Sequence, residues 1–147
     1  NLYPCGSGAI FAKKKMTAEQ IKLVKRTWKI MMGIDPILLG ETFYGKLFND
    51  HPELRPYFPR DMKEQYIKLT DMLSSIILRL DNQNLSSIIE MGKRHAGYGV
   101  KLAHYNMVGS AMIWMLSKAL GTEWNQATEE AWVQCYTEIS AIMTSAA

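Results

Sequence analysis

From Thr17 onward the apolar residues recur at steps of three and four with little interruption, a period that suits helices and leaves no segment reading as a strand. Thr17 with Gln20 three residues later is a capping box, so a first helix starts there. Ile21, Val24, Trp28 and Met31 form its inner stripe, and Gly33 ends it after about Met32. Asp35 followed by Pro36 is a cap with a first-turn proline. It opens a second helix, to about Asp50, whose inner face includes Ile37, Gly40, Tyr44, Leu47 and Phe48.

The stretch DHPELRPYFPRD carries three prolines between Pro52 and Pro59, which limits it to short turns and one turn of helix. A long helix, about Asp61 to Leu80, follows with Gln65, Leu69, Met72, Leu73, Ile76 and Leu80 on one side, and DNQN breaks it. A weaker helix, about Ser86 to Tyr98, carries Ile88, Gly92 and His95 on one stripe. Two strong helices close the pattern, one from about Tyr105 to Leu120 before Gly121, the other after Asn125. The fold class expected is all-α. Helices of unequal length around a proline-rich corner imply an unsymmetrical packing, which needs something to fill its middle.

At 147 residues and 48% hydrophobic the chain has the size and apolar content of one domain with its own core. No apolar run reaches the roughly 18 residues that span a bilayer, and a soluble, cytoplasmic protein is expected. Its net charge of +3 comes entirely from Lys13, Lys14 and Lys15; without them 14 basic residues face 14 acidic ones. A neutral domain argues against a nucleic-acid binder, which carries a basic face. Residues 1–15 have no period and are expected to be a disordered leader or an appended tail, with the domain occupying 16–147. Cys5 falls in that tail and Cys135 in an amphipathic pattern, so no structural disulfide is expected, which fits a reducing compartment.

No phosphate-binding glycine loop, Cys-x-x-Cys or His-Glu-x-x-His occurs, and GYGV follows a helix where a dinucleotide fingerprint needs a strand. His51 precedes a proline in a turn and reads as solvated or capping, and His104 opens a helix and reads as structural. His95 shares its stripe with Ile88 and Gly92, so it faces an apolar interior. Such an imidazole is either satisfied by a backbone carbonyl or placed to bind something, and the pattern alone leaves both open.

The segments MGKRHAGYGVKLAHYNMVGSAMIWML and EEAWVQCY, with ETFYGKLFNDHPELRPYF before them, resemble the globin family, in particular single-domain bacterial globins and the haem domains of flavohaemoglobins. The likeness covers nearly all of Thr17 to Ile142. It implies a globin fold, three helices over three around one haem b, held without covalent attachment since Cys-x-x-Cys-His is missing. By this resemblance His95 matches the proximal iron ligand, and Phe58 the phenylalanine that stacks on the haem. Tyr44 and Gln65 match distal donors to bound gas, and Leu69 the apolar wall beside them. Val100 and Val108 would also wall the porphyrin, and Tyr105 matches a tyrosine near its proximal side. A proximal glutamate of flavohaemoglobins has no counterpart, because Glu138 falls about two turns early. The ten methionines fit gap-filling and pocket-lining, and Trp114, Trp124 and Trp132 read as core or helix-end packing.

The function implied is reversible oxygen binding, without catalysis, with nitric oxide and carbon monoxide as further diatomic ligands. Nitric oxide dioxygenation is the enzymatic alternative and needs a separate reductase as partner. Haem-based gas sensing is a third class, for which no output domain is read in these residues.

Overall fold

The computed structural model describes residues 15–82 and 85–145, so all but Lys15 of the expected leader lies outside the described residues. Six α-helices follow one another: α1 (Ala18–Met31), α2 (Pro36–Asp50), α3 (Lys63–Ile77), α4 (Leu85–Gly97), α5 (Leu102–Leu120) and α6 (Gln126–Ser145). Short 3-10 turns, Pro52–Tyr57 and Gly121–Glu123, join α2 to α3 and α5 to α6. Among the described residues there is no strand.

The helix starts obey local chemistry. The Gln20 amide N–H donates to the Thr17 hydroxyl at 3.1 Å, while the Gln20 side chain accepts from the Thr17 N–H at 3.0 Å. Asp35 accepts from the Ile37 N–H at 2.9 Å ahead of Pro36. Helix α5 begins at Leu102, three residues before the expected Tyr105, because His104 Nδ1 accepts from the Lys101 N–H at 2.8 Å and caps the earlier turn. The expected single span Asp61–Leu80 is trimmed at both ends: Asp61 caps the Lys63 N–H, and the chain past Ile77 runs in turns.

The close helix pairings are α2 with α3 and α5, α6 with α1, α4 and α5, and α1 with α5 and α3. They form two layers, α1, α3 and α4 against α2, α5 and α6. Gly40 lets α2 and α3 meet, since a Cβ there would collide with the Tyr66 ring. Gly92 does the same for α4 against α6, where a Cβ would run into the Met143 backbone. By contrast α3 makes no close pairing with α4, α5 or α6. The gap left between them is the interior cavity.

The main core joins Val24, Trp28, Met31, Phe43, Leu47, Met115 and Leu116, all 2% exposed or less. Trp132 Nε1 donates to Thr27 Oγ1 at 2.9 Å inside it. Trp132 matches its expected core role, and Trp114 does not. Trp114 is 39% exposed, with the Lys46 and Lys118 ammonium groups 4.5 and 4.4 Å from its ring centre, so cations cover it where helices do not. No described helix is long and apolar enough to cross a membrane.

Candidate functional site: an apolar cavity lined by His95 and His104

The cavity has a volume of about 150 Å³. Leu69, Met72 and Ile76 wall it from α3, His95 from α4, and Val108 and Met112 from α5, with α6 closing the rest. Of the residues singled out in the sequence, it brings together Leu69, His95, Val100, Tyr105 and Val108. Four of the ten methionines, Met72, Met91, Met112 and Met143, also line it. Such flexible thioethers adapt to an irregular space.

His95 stands near the end of α4, and the helix stops around it in a defined way. Its own carbonyl accepts from the Tyr98 and Val100 N–H groups at 3.1 and 3.0 Å. Gly99 then takes φ 82°, a left-handed value that favours glycine, and turns the chain back toward Val100 at the cavity wall. Nδ1 of the imidazole lies 2.7 Å from the Met91 carbonyl oxygen. A carbonyl can only accept, so Nδ1 carries a proton, and in the neutral ring the lone pair is then on Nε2. Nε2 has no hydrogen-bond partner among the described residues. The two readings the sequence left open are thus both present in one ring: one nitrogen is satisfied by backbone and the other is left for a ligand.

Tyr105 stands beside it, with ring centres 6.5 Å apart. Its carbonyl accepts from the Tyr136 hydroxyl at 2.6 Å, and this bond ties α5 to α6 at the cavity. Burial pushes the Tyr105 phenol above its ordinary pKa. Glu138 is engaged elsewhere, accepting from the Met16 N–H at 2.8 Å. His104 lines the cavity through its capping ring, and His51 lies 3.7 Å from Glu53 in the proline-rich corner.

Tyr44, Phe58 and Gln65 do not line this cavity; they form an adjoining group at its α3 side. Gln65 Nε2 donates to the Tyr44 hydroxyl at 3.0 Å, one helical turn before Leu69. Tyr44 is buried against Phe58, Phe48 and Tyr66, with ring centres 5.4, 5.7 and 5.8 Å away. Burial raises the Tyr44 pKa, against a smaller lowering by the Gln65 hydrogen bond, so the phenol keeps its proton. Phe58 is half-buried between Tyr44 and Phe48.

Sequence reasoning did not single out Tyr136 or Met112 as cavity residues, since both sit on stripes that an ordinary core would also show. Among the described residues no three of His, Cys, Asp and Glu converge on a metal position. His104 Nδ1 is taken by the Lys101 N–H, so the nitrogen left to a ligand in this apolar space is Nε2 of His95. This fits a flat apolar group whose metal is held mainly by its own ring and completed by one protein ligand.

Comparison with known proteins agrees with this geometry. The family model described as Globin matches residues 41–143. The chain is 26% identical over 126 residues to the flavohemoprotein of Vibrio cholerae, covering 82% of this chain and 32% of that one. It is 22% identical to neuroglobin-1 of Oncorhynchus mykiss, covering 89% and 92% of the two chains. It thus spans about a third of the flavohemoprotein and nearly all of the neuroglobin. A solved bacterial globin from Campylobacter jejuni superposes with a TM-score of 0.76 at 27% identity, over 88% of this chain and 95% of the other. With two helical layers, a cavity between them and a family match over most of its length, the chain belongs to the globin family.

Proposed function

We propose that the protein binds haem b in this cavity and reversibly binds oxygen there. The observation that carries the reading is the His95 ring, whose Nδ1 is held by the Met91 carbonyl at 2.7 Å while Nε2 has no partner among the described residues. The Met91 bond fixes the tautomer and the ring orientation, as a second partner does for metal-bound histidines generally. Haem, when bound, supplies an iron that takes a diatomic gas such as oxygen, nitric oxide or carbon monoxide. Everything else in the function belongs to the chain.

His95 would hold the iron through Nε2. Leu69, Val100, Tyr105 and Val108 would exclude water from the ring, and Phe58 would add an aromatic face from the corner. In the group adjoining the cavity, Tyr44 accepts one hydrogen bond from Gln65 and still has its own O–H, which it would donate to a bound gas. Its raised pKa keeps that proton in place. A polar ligand such as oxygen gains from this donor more than an apolar one such as carbon monoxide. A donor pair that stabilises a ligand supports oxygen binding, which reversible binding and dioxygenation share. Nitric oxide dioxygenation would add a need for electrons from a separate reductase.

The test is an absorption spectrum of the protein supplied with haem, in ferric, ferrous, oxygenated and carbonylated forms. A Soret band that shifts with each gas and is lost in His95→Ala is expected. A folded protein that stays colourless, or one whose band survives His95→Ala unchanged, would overturn the assignment.

A further inference from the structure

A second opening lies on the surface where α2, the proline-rich turn and the start of α3 meet. This cleft of about 400 Å³ shares no lining residue with the interior cavity. That is within the range of about 300–1,000 Å³ common for small-molecule sites. Its apolar wall is Tyr44, Phe48 and Tyr66, three rings packed 5.7 to 5.8 Å apart around Tyr44.

Its border is charged, and the charges are unevenly committed. Arg55 donates to the carbonyls of Phe58, Pro59 and Arg60 and is occupied by its own corner. The side chains of Arg60 and Lys63 have no ion-pair or hydrogen-bond partner among the described residues. Of the two carboxylates at the border, Asp61 accepts from the Lys63 backbone N–H at 3.1 Å, and Glu41 has no ion-pair or hydrogen-bond partner among the described residues.

Gly45 is the independent observation. It sits inside α2 with an ordinary helical backbone, and a Cβ built there meets nothing within 4 Å. Neither a left-handed turn nor a close approach requires glycine at this position. In a helix interior glycine is less favourable than alanine. It is an exposed residue lining the cleft with open space where a Cβ would stand, in contrast to Gly40 five residues earlier, where that space is filled by Tyr66.

We propose that this cleft is a second ligand site, for a small aromatic monocarboxylate. The ring lies against Tyr44, Phe48 and Tyr66, and the carboxylate is held between Arg60 and Lys63. Glu41 and Asp61 disfavour a second negative charge on the ligand, which separates it from phosphates and dicarboxylates. The site itself stands without the haem reading. Its consequence for gas binding rests on that reading, because Tyr44 belongs both to the cleft and to the Gln65 pair.

The experiment is a titration of the purified protein with benzoate, followed by the side-chain NMR signals of Tyr44 and Tyr66. Saturable shifts are expected, with at least a tenfold loss of affinity in the Arg60→Glu, Lys63→Glu double variant. Gly45→Leu should abolish the shifts while leaving the circular dichroism and any haem spectrum as in the parent protein. Should Gly45→Leu not fold, the charge-reversal pair decides alone. No saturable binding, equal binding by inorganic phosphate, or affinity unchanged in the variants would overturn the site. In the oxygenated protein, benzoate should change the oxygen release rate; an unaltered rate with benzoate demonstrably bound would overturn the link through Tyr44, and failure to take up haem would leave the benzoate result standing.

Discussion

The Gln65 side-chain amide donates to the Tyr44 hydroxyl at 3.0 Å across the α2–α3 contact, so two residues 21 positions apart act as one polar unit in an aromatic surround. The direction of this bond matters. A hydroxyl that accepts from an amide still has its proton to give.

Tyr44→Phe removes that proton with little change in shape. A hydrogen bond to a charge-bearing partner is worth roughly 1.5–3 kcal/mol, so oxygen release should quicken by about tenfold to a hundredfold if the loss falls on the dissociation rate. Carbon monoxide release should change less. Stopped-flow displacement of each gas reads both, and equal acceleration of the two would count against Tyr44 as the donor.

Gly92 is where helix packing and the site are joined. A methyl group there meets the Met143 backbone, and backbone cannot rotate aside. Gly92→Ala should therefore cost about 1–3 kcal/mol through overpacking and push α4, with His95 three residues on, away from α6. Urea unfolding measures the first effect and the rate of haem loss the second. A variant as stable as the parent would show that α4 can shift freely.

Much of this arrangement is legible in the sequence, for reasons that can be named. Thr17 with Gln20 and Asp35 with Pro36 are local caps whose chemistry needs no distant partner, and both stand where the pattern put them. His95 falls on the apolar stripe with Ile88 and Gly92, and the stripe does face the interior. The start of α5 was less legible because the side chain reaching back to the N-cap N–H is a histidine, His104, a task that in a capping box usually falls to Glu or Gln. Trp114 was misjudged because periodicity cannot see two lysines, one from another helix, that cover an exposed ring. Nor can it distinguish Gly40, which admits a neighbour, from Gly45, which admits space.

Cys135 supplies a pH dependence. Burial, helped by the nearby Glu138 charge, pushes its thiol up to about 12 from 9.0. The folded protein thus holds this proton where the unfolded chain releases it. The stability linked to this group is complete below about pH 9 and declines between 9 and 12, with a slope of at most ~1.4 kcal/mol per pH unit. Comparing urea midpoints of the parent and Cys135→Ala across this window should show a shallower decline in the variant. Parallel curves would mean that the thiol titrates normally.

Two fully buried threonines give the sharpest test of how polar groups are carried in this core, because one substitution should act with opposite sign at each. Thr27 Oγ1 accepts from the Trp132 indole at 2.9 Å and donates to the Leu23 carbonyl at 2.7 Å. Thr27→Val keeps the shape but strands the indole N–H, a loss of about 1–3 kcal/mol. Thr128 Oγ1 is buried with no partner among the described residues, so Thr128→Val removes an unsatisfied group and should leave stability unchanged or raised. The Thr27→Val, Trp132→Phe double variant separates the two contributions at the first site. If the penalty of Thr27→Val comes from the stranded donor, it should shrink once the donor is gone, leaving a coupling of the size expected for one hydrogen bond. A penalty that persists undiminished in Trp132→Phe would instead assign the role of Thr27 to its bond with the α1 backbone.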